Sequence, residues 1–275
     1  MPNFIVGARL HDYGKGTPDE LFGQVSADGF AAVQLAYKKC VPSVKSYADV
    51  TDALVAETVA AEKAHHIQVA VLGTYVELAI NDESRLSNVA DFKSQLAVCK
   101  ALGAGCIGTE TTAMSKQPTG TTRTQAQELL CRSLAEILPA AEALGVTVGI
   151  EPVTYHSMNS AAATRHILDT MRSPNLKVIF DMSNLVSAEN VDAQDRIWYD
   201  MGALLGDQIV AVHFKGQAFA PDGSLLHTSL EESRTDYAGA FAMLRQLPQP
   251  TLPVLREEAV PARAASDIAF MKGFF

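Results

Sequence analysis

Four apolar runs in the second half of the chain each end on a side chain able to hold a metal ion or a proton. Residues 147–150 run into Glu151, 177–180 into Asp181, 209–212 into His213, and 253–256 into Glu257. These end residues lie 30, 32 and 44 positions apart. A strand, a helix and their connections occupy about 30 residues, so the first two intervals are one strand–helix repeat each. The third is longer, and its excess falls in the loop between Gln217 and Arg234. A chain that repeats strand and helix at this interval must build a parallel sheet covered by helices.

The alternation extends to the amino end. Strand-like stretches at 5–10, 32–36, 68–72 and 106–109 alternate with helical patterns at 18–27, 51–65, 84–102 and 124–144. Further helices are expected at about 160–171, 195–205, 236–247 and 263–270. Thr17 and Thr51 stand at N-cap positions, with Pro18 in a first turn. Gly103, Gly145 and Gly206 each follow a leucine where a helix must close before a strand. Glycine takes the left-handed C-cap conformation there without steric cost. Eight strands and eight helices in 275 residues predict one domain, residues 1–275, folded as a single (β/α)8 barrel. Its active site is expected at the C-terminal ends of the strands. The competing doubly wound sheet lacks a glycine-rich dinucleotide fingerprint after the first strand.

Bulk properties remove other classes. With 48% apolar and 19% charged residues and no low-complexity run, the chain is globular throughout. A formal net charge of −9 argues against a nucleic-acid partner, which requires a basic face. No stretch is long enough to span a bilayer, and the start of the chain has no signal-peptide pattern. Cys40, Cys99, Cys106 and Cys131 form no C-x-x-C pair and are expected to be reduced and mostly buried, so the cytoplasm is the expected compartment.

Alternation along a strand decides which side chains can meet. Thr147, Gly149 and Glu151 share one face, as do Lys177, Ile179 and Asp181, then Ile209, Ala211 and His213, then Leu255 and Glu257. The opposite face carries Val146, Val148, Ile150, Val178, Phe180, Val210 and Val212 and is apolar enough to pack on helices. The ligand candidates therefore point into the barrel mouth. Neighbouring strands lie roughly 4.8 Å apart, so tips on four of them can converge on a cation at about 2.0–2.2 Å. One carboxylate at one strand end is usually a loop cap, but four in phase on successive strands require another reason. Three carboxylates and a histidine are a mostly hard ligand set, favouring Mn²⁺ or Mg²⁺, with Co²⁺ and Zn²⁺ as alternatives. Of the adjacent Glu257 and Glu258, phase with Leu255 selects Glu257.

Over nearly its whole length the sequence resembles the xylose isomerase-like TIM-barrel superfamily, in its sugar (phosphate) isomerase/epimerase branch. The resemblance is most specific in Gly149-Ile150-Glu151-Pro152, Phe180-Asp181-x-x-Asn184, Val212-His213-Phe214-Lys215 and the strand ending at Glu257. It implies that Glu151, Asp181, His213 and Glu257 bind a catalytic divalent ion, often Mn²⁺, and that Glu151 and Glu257 form the acid/base pair. The implied substrate is a keto-sugar or sugar phosphate, with Asn184 at a substrate-contact position or, alternatively, serving as a plain helix cap. Two places depart from the family pattern: Gly216 stands where many relatives carry Asp, and residues 228–237 replace a Gly-x-Gly element before the seventh helix.

A metal ion and a positioned base would together remove the proton beside a carbonyl through an enediolate. Two glutamates on opposite sides of the sugar would epimerise it; one base serving two carbons would isomerise aldose and ketose. A lyase that dehydrates a keto-cyclitol or keto-sugar would use the same groups, and a catalytically silent sugar-binding barrel is the third reading. A three-zinc nuclease of the same fold would want another histidine where Asn184 stands. Further pocket candidates are His156 and Lys215, each with a plain loop or rim alternative, and Glu110 as a wall residue. Gln34, Lys38, His11 and Tyr13 end the early strands, and about half of them are expected to line the pocket. His65, His66 and His166 read as surface or packing residues, and Trp198 and Tyr199 as helix packing. The apolar carboxyl end, with Phe270, Met271, Phe274 and Phe275, is expected to close the barrel floor or to pack on a second subunit of a homo-oligomer.

Overall fold

The computed structural model describes residues 1–80 and 82–275. Eight parallel strands close into a barrel: β1 (Asn3–Arg9), β2 (Ala32–Leu35), β3 (Gln68–Gly73), β4 (Cys106–Glu110), β5 (Val148–Glu151), β6 (Leu176–Asp181), β7 (Ile209–Phe214) and β8 (Thr251–Arg256). Each strand pairs with its neighbours in sequence, and β1 pairs with β8 to close the ring. Eight helices of eight or more residues among the described residues cover it: α1 (Pro18–Ala27), α2 (Asp52–His65), α3 (Asp82–Leu102), α4 (Arg123–Leu144), α5 (Ala161–Met171), α6 (Gln194–Leu205), α7 (Tyr237–Leu244) and α8 (Ala264–Lys272); one further helical turn spans Tyr37–Cys40. This is the single (β/α)8 barrel that the alternation predicts. No described helix is long and apolar enough to cross a membrane.

Local chemistry sets the helix ends. The Thr17 side chain accepts the Glu20 N–H, while the Glu20 carboxylate accepts the Thr17 N–H at 2.8 Å, a reciprocal cap that starts α1. Gly103 and Gly145 close α3 and α4 with φ of 65° and 68°. Gly206 does not follow them. It keeps right-handed helical angles (φ −53°, ψ −41°) and leads through a 3₁₀ turn into β7. A Cβ there would come within 2.9 Å of Leu247 Cδ2, so close packing rather than a left-handed turn explains that glycine.

Strand phase sorts the core into two parts. Ile179, Ala211 and Leu255 fill the barrel interior with Ala32, Ala70, Val71 and Cys106. Val148, Ile150, Val178, Phe180 and Val212 belong to the larger layer between strands and helices. The start of β7 breaks the expected phase. Val178 pairs with Ile209 but Ile179 pairs with Ala211, so Val210 is an extra residue in a bulge. Ile209 therefore joins the outer layer and Val210 leans on the inner one. Beyond the bulge the alternation recovers and turns His213 inward.

The long third repeat, expected to be loop between Gln217 and Arg234, holds two further strands. Gly216–Phe219 and Leu225–Thr228 form an antiparallel hairpin over the mouth. A Cβ on Gly216 would collide with the carbonyl oxygens of Thr228 and Ser229. The hairpin thus excludes any side chain at 216.

The carboxyl end packs on its own chain. Phe214 stacks on Tyr237 at 4.3 Å and meets Phe270 and Phe274, while Phe241 contacts Phe4, Phe274 and Phe275. Trp198 packs edge-on against Phe180, but Tyr199 stands 68% exposed instead of packing. Phe241→Ala is expected to cost about 3–5 kcal/mol, because the rings around it cannot collapse into the space left. Urea unfolding followed by circular dichroism measures it, and a loss below 1 kcal/mol would contradict this packing role.

Candidate metal centre and active site

Three strands deliver the core of the site. Glu151 ends β5, Asp181 ends β6 and His213 is the penultimate residue of β7; their donor atoms all lie within 4.8 Å of one another, and all three side chains are buried. His213 Nδ1 faces Glu151 Oε2 at 3.0 Å and Glu257 Oε1 at 3.5 Å. Glu257 follows β8 directly, anchored by its N–H to the Phe214 carbonyl at 3.0 Å. It touches the cluster from the side and is not one of the three mutually close donors. Glu258 turns away, with φ of 57°, to pair with His227 at 2.6 Å. Neither ring nitrogen of His213 nor Asp181 Oδ2 has a well-formed hydrogen bond. His213 Nδ1 and Asp181 Oδ2 are held only in ion pairs, with Glu151 and Lys215, and a buried donor set of carboxylates and an imidazole fits a divalent ion.

Neighbouring groups compensate the crowded charge. Lys215 Nζ lies 2.9 Å from Asp181 Oδ2 and 3.6 Å from Glu257 Oε2. Arg9 lies 3.6 Å from Glu257 and forms a two-armed ion pair with Asp12. Burial works against a charged His213, but the Glu257 and Glu151 carboxylates outweigh it and raise it to about 9. Burial would raise Glu257, yet His213, Lys215 and Arg9 bring it down to about 2. Asp181 goes the other way, to about 6, because complete burial prevails over Lys215. Asn184 ties two carboxylates together: its N–H donates to Asp181 Oδ1 at 2.9 Å, and its Nδ2 to Glu151 Oε1 at 2.5 Å.

The rim holds the remaining candidates. Burial and the nearby Glu151 charge push Glu110 up to about 7, although 40% of its side chain stays open to solvent. His156 lies 3.8 Å from Glu110 and packs edge-on against Tyr155. Gln34 is buried and donates to the Tyr75 hydroxyl at 2.8 Å. His11 also reaches Tyr75, ring to ring at 5.6 Å. The other two early candidates leave the mouth: Lys38 lies over the Tyr47 ring, and Tyr13 donates to Asp28.

Tyr75 and Arg9 escape sequence reasoning. Arg9 could have been found, since it ends β1 in phase with the interior-packed Ile5. Tyr75 lies in a loop without a motif. It adopts a left-handed φ of 53° and lines the mouth with Glu151, His213 and Glu257. The space left there is about 10 Å³, room for one water at most. Strained backbone of this kind concentrates at ligand sites.

A closed barrel with carboxylates and a histidine at the C-terminal strand ends defines a class, and the family model confirms it. The chain belongs to the xylose isomerase-like TIM barrels, whose model matches residues 22–273. Solved structures of low identity share the fold. The apo 3-keto-D-glucoside 4-epimerase YcjR from E. coli superposes with a TM-score of 0.73 at 17% identity, covering 98% of this chain and 100% of that one. D-psicose 3-epimerase with D-tagatose, from Clostridium cellulolyticum H10, gives 0.73 at 15%, covering 98% and 99%. The IOLI protein with a bound zinc atom gives 0.75 at 16%, covering 98% and 96%. No curated protein sequence matches the chain.

Two outcomes follow. Mn²⁺ at about 100 times its Kd should add about 2.7 kcal/mol to wild-type stability by mass action, and little to Asp181→Asn. Thermal melts with and without the ion read this, and equal shifts in both proteins would contradict a site at Asp181. Burial holds His11 to about 3 and His156 to about 4, so both are neutral in the folded protein. Unfolded histidines titrate near 6.5, so between that pH and about 4 the unfolded chain binds more protons. Stability therefore falls as pH falls through this window. His156→Gln should lose less stability between pH 7 and pH 5 than wild type in chemical denaturation, and an unchanged loss would refute the assignment.

Proposed function

We propose that the protein is a divalent-metal-dependent epimerase or isomerase of keto-sugars, acting by proton transfer at the carbon beside the carbonyl. The observation that carries this reading is the pair of buried carboxylates, Glu151 and Glu257, which approach the same His213 nitrogen from separate strands at 3.0 and 3.5 Å. The similarity to sugar epimerases supports it. Glu151, Asp181, His213 and Glu257 would hold the ion, with Mn²⁺ the first choice for a mostly oxygen ligand set. When bound, the ion supplies Lewis-acid stabilisation to the oxygen on which negative charge gathers.

The protein's own groups do the rest. One glutamate takes the proton from carbon and the other returns one from the opposite face, which inverts that centre. Glu257 is ionised at neutral pH, as a base must be, because His213, Lys215 and Arg9 surround it. Asn184 fixes the Glu151 carboxylate through its 2.5 Å hydrogen bond, so the proton acceptor does not have to find its orientation during the reaction. Tyr75 and Gln34 cap the mouth, and Glu110 and His156 form its outer wall; together they exclude bulk water and offer hydrogen bonds to sugar hydroxyls.

The test is deuterium uptake from solvent by a panel of ketoses and ketose phosphates with Mn²⁺-loaded protein. Exchange with formation of an epimer is expected, and Glu151→Gln should lower its rate by about 10²–10⁴-fold with the fold intact. Loss of water would assign a dehydratase instead. No exchange across the panel would leave a silent binding barrel.

A further inference from the structure

A second cavity of about 300 Å³ opens beside the carboxylate centre, large enough for part of a small molecule. Three segments enclose it: Thr154 and Tyr155 after β5, residues 186–189 after β6, and the hairpin after β7. The two spaces share a wall, because Asn184 lines this cavity while its side chain bonds Glu151. Tyr155 stands on the same boundary, packed on His156 and 55% exposed.

The walls are pre-formed. Gln217 is buried and donates to the Ser183 and Val186 carbonyls at 2.7 and 3.1 Å, fastening the hairpin to the segment after β6. At the far end Gly223 approaches Ala188. The lining is apolar through Val186, Ala188, Phe219 and Leu225, and its one ionic residue is the acidic Glu189. Lys215 and Arg9, the cations of the adjoining centre, do not line it and are engaged by carboxylates. Of the eight well-exposed large apolar side chains among the described residues, Tyr155, Leu225 and Leu226 lie on the loop and hairpin that form this cavity.

An anionic group placed here would meet Glu189 and no counter-charge. An uncharged apolar group would cover surface that otherwise stays wet. We infer that this cavity is a substrate subsite for an uncharged alkyl or aryl substituent carried by the keto-sugar, so that the substrate is a substituted sugar rather than a sugar phosphate. The inference rests on the catalytic reading above for the sugar and on the cavity's own lining for the substituent. Binding of the remote group would hold the reacting carbon against Glu151 and Glu257, which is how distant contacts raise turnover.

The test compares p-nitrophenyl 3-keto-β-D-glucopyranoside, 3-keto-D-glucose and its 6-phosphate in the deuterium-exchange assay with Mn²⁺-loaded full-length protein. The aryl compound should show a kcat/KM roughly 10-fold or more above the free sugar, with the phosphate poorest. Phe219→Asp and Leu225→Asp should remove that advantage while leaving exchange of the free keto-sugar within about two-fold. Equal rates for aryl and free sugar, or a preference for the phosphate, would overturn the subsite and leave the catalytic reading standing. If none of the three exchanges, the ketose panel above decides the catalytic reading and calorimetry decides the subsite alone. Binding of the unreactive p-nitrophenyl β-D-glucopyranoside that weakens roughly 10-fold in both variants sustains it, and unchanged or undetectable binding sinks it.

Discussion

Like-charge crowding in a buried place governs the mouth of this barrel. Glu151, Asp181 and Glu257 are all nearly inaccessible to water, and each buried ion carries a desolvation penalty of several kcal/mol. Such a cluster persists only if cations stand among the carboxylates and the backbone holds every member in place. Lys215, Arg9 and a protonated His213 supply the positive charge. The shifts in proton affinity follow from who neighbours whom: Glu257, with three cations around it, stays ionised, while the fully enclosed Asp181 holds its proton more tightly. A divalent ion bound there would take over the positive charge that the His213 proton supplies, because a ligating imidazole must be neutral.

The scaffold beneath is built for rigidity. Arg256, on the outer side of β8, pairs with the buried Asp267 of α8 at 2.8 Å and also donates to the Glu257 carbonyl. The backbone that presents Glu257 is thereby held from the helix layer. Ser183 and Tyr237 both donate to the Lys215 carbonyl, fixing the turn that follows β7. Ligand geometry depends on supports of this kind outside the site.

The loops after the strands shape the approach to the carboxylate centre. The hairpin after β7 requires glycine at 216, because any Cβ there would meet the Thr228 and Ser229 carbonyl oxygens, and Gln217 anchors it to the segment after β6. Tyr75, held by Gln34 and His11 and overlaid by Lys39, fills the space above the carboxylates. The barrel fixes the reacting centre, and these loops shape what reaches it.

Period, caps and strand-end chemistry were readable in the sequence alone: the eight-fold alternation, the Thr17 and Thr51 caps, and the inward phase of Glu151, Asp181, His213 and Glu257. Each is a local property, set by a few successive residues and the geometry of the backbone. Residues placed by long-range packing were not readable. The bulge at Val210 depends on the register between two strands, the role of Gly206 on Leu247, and the burial of the carboxyl-terminal phenylalanines on Phe4 and Phe241. Tyr75 enters the mouth through a loop whose conformation no period encodes. Which carboxylates stand mutually close, and which cation neutralises each, was decided only when closure of the barrel brought β1 against β8, because Coulomb energies depend on distances that sequence separation does not set.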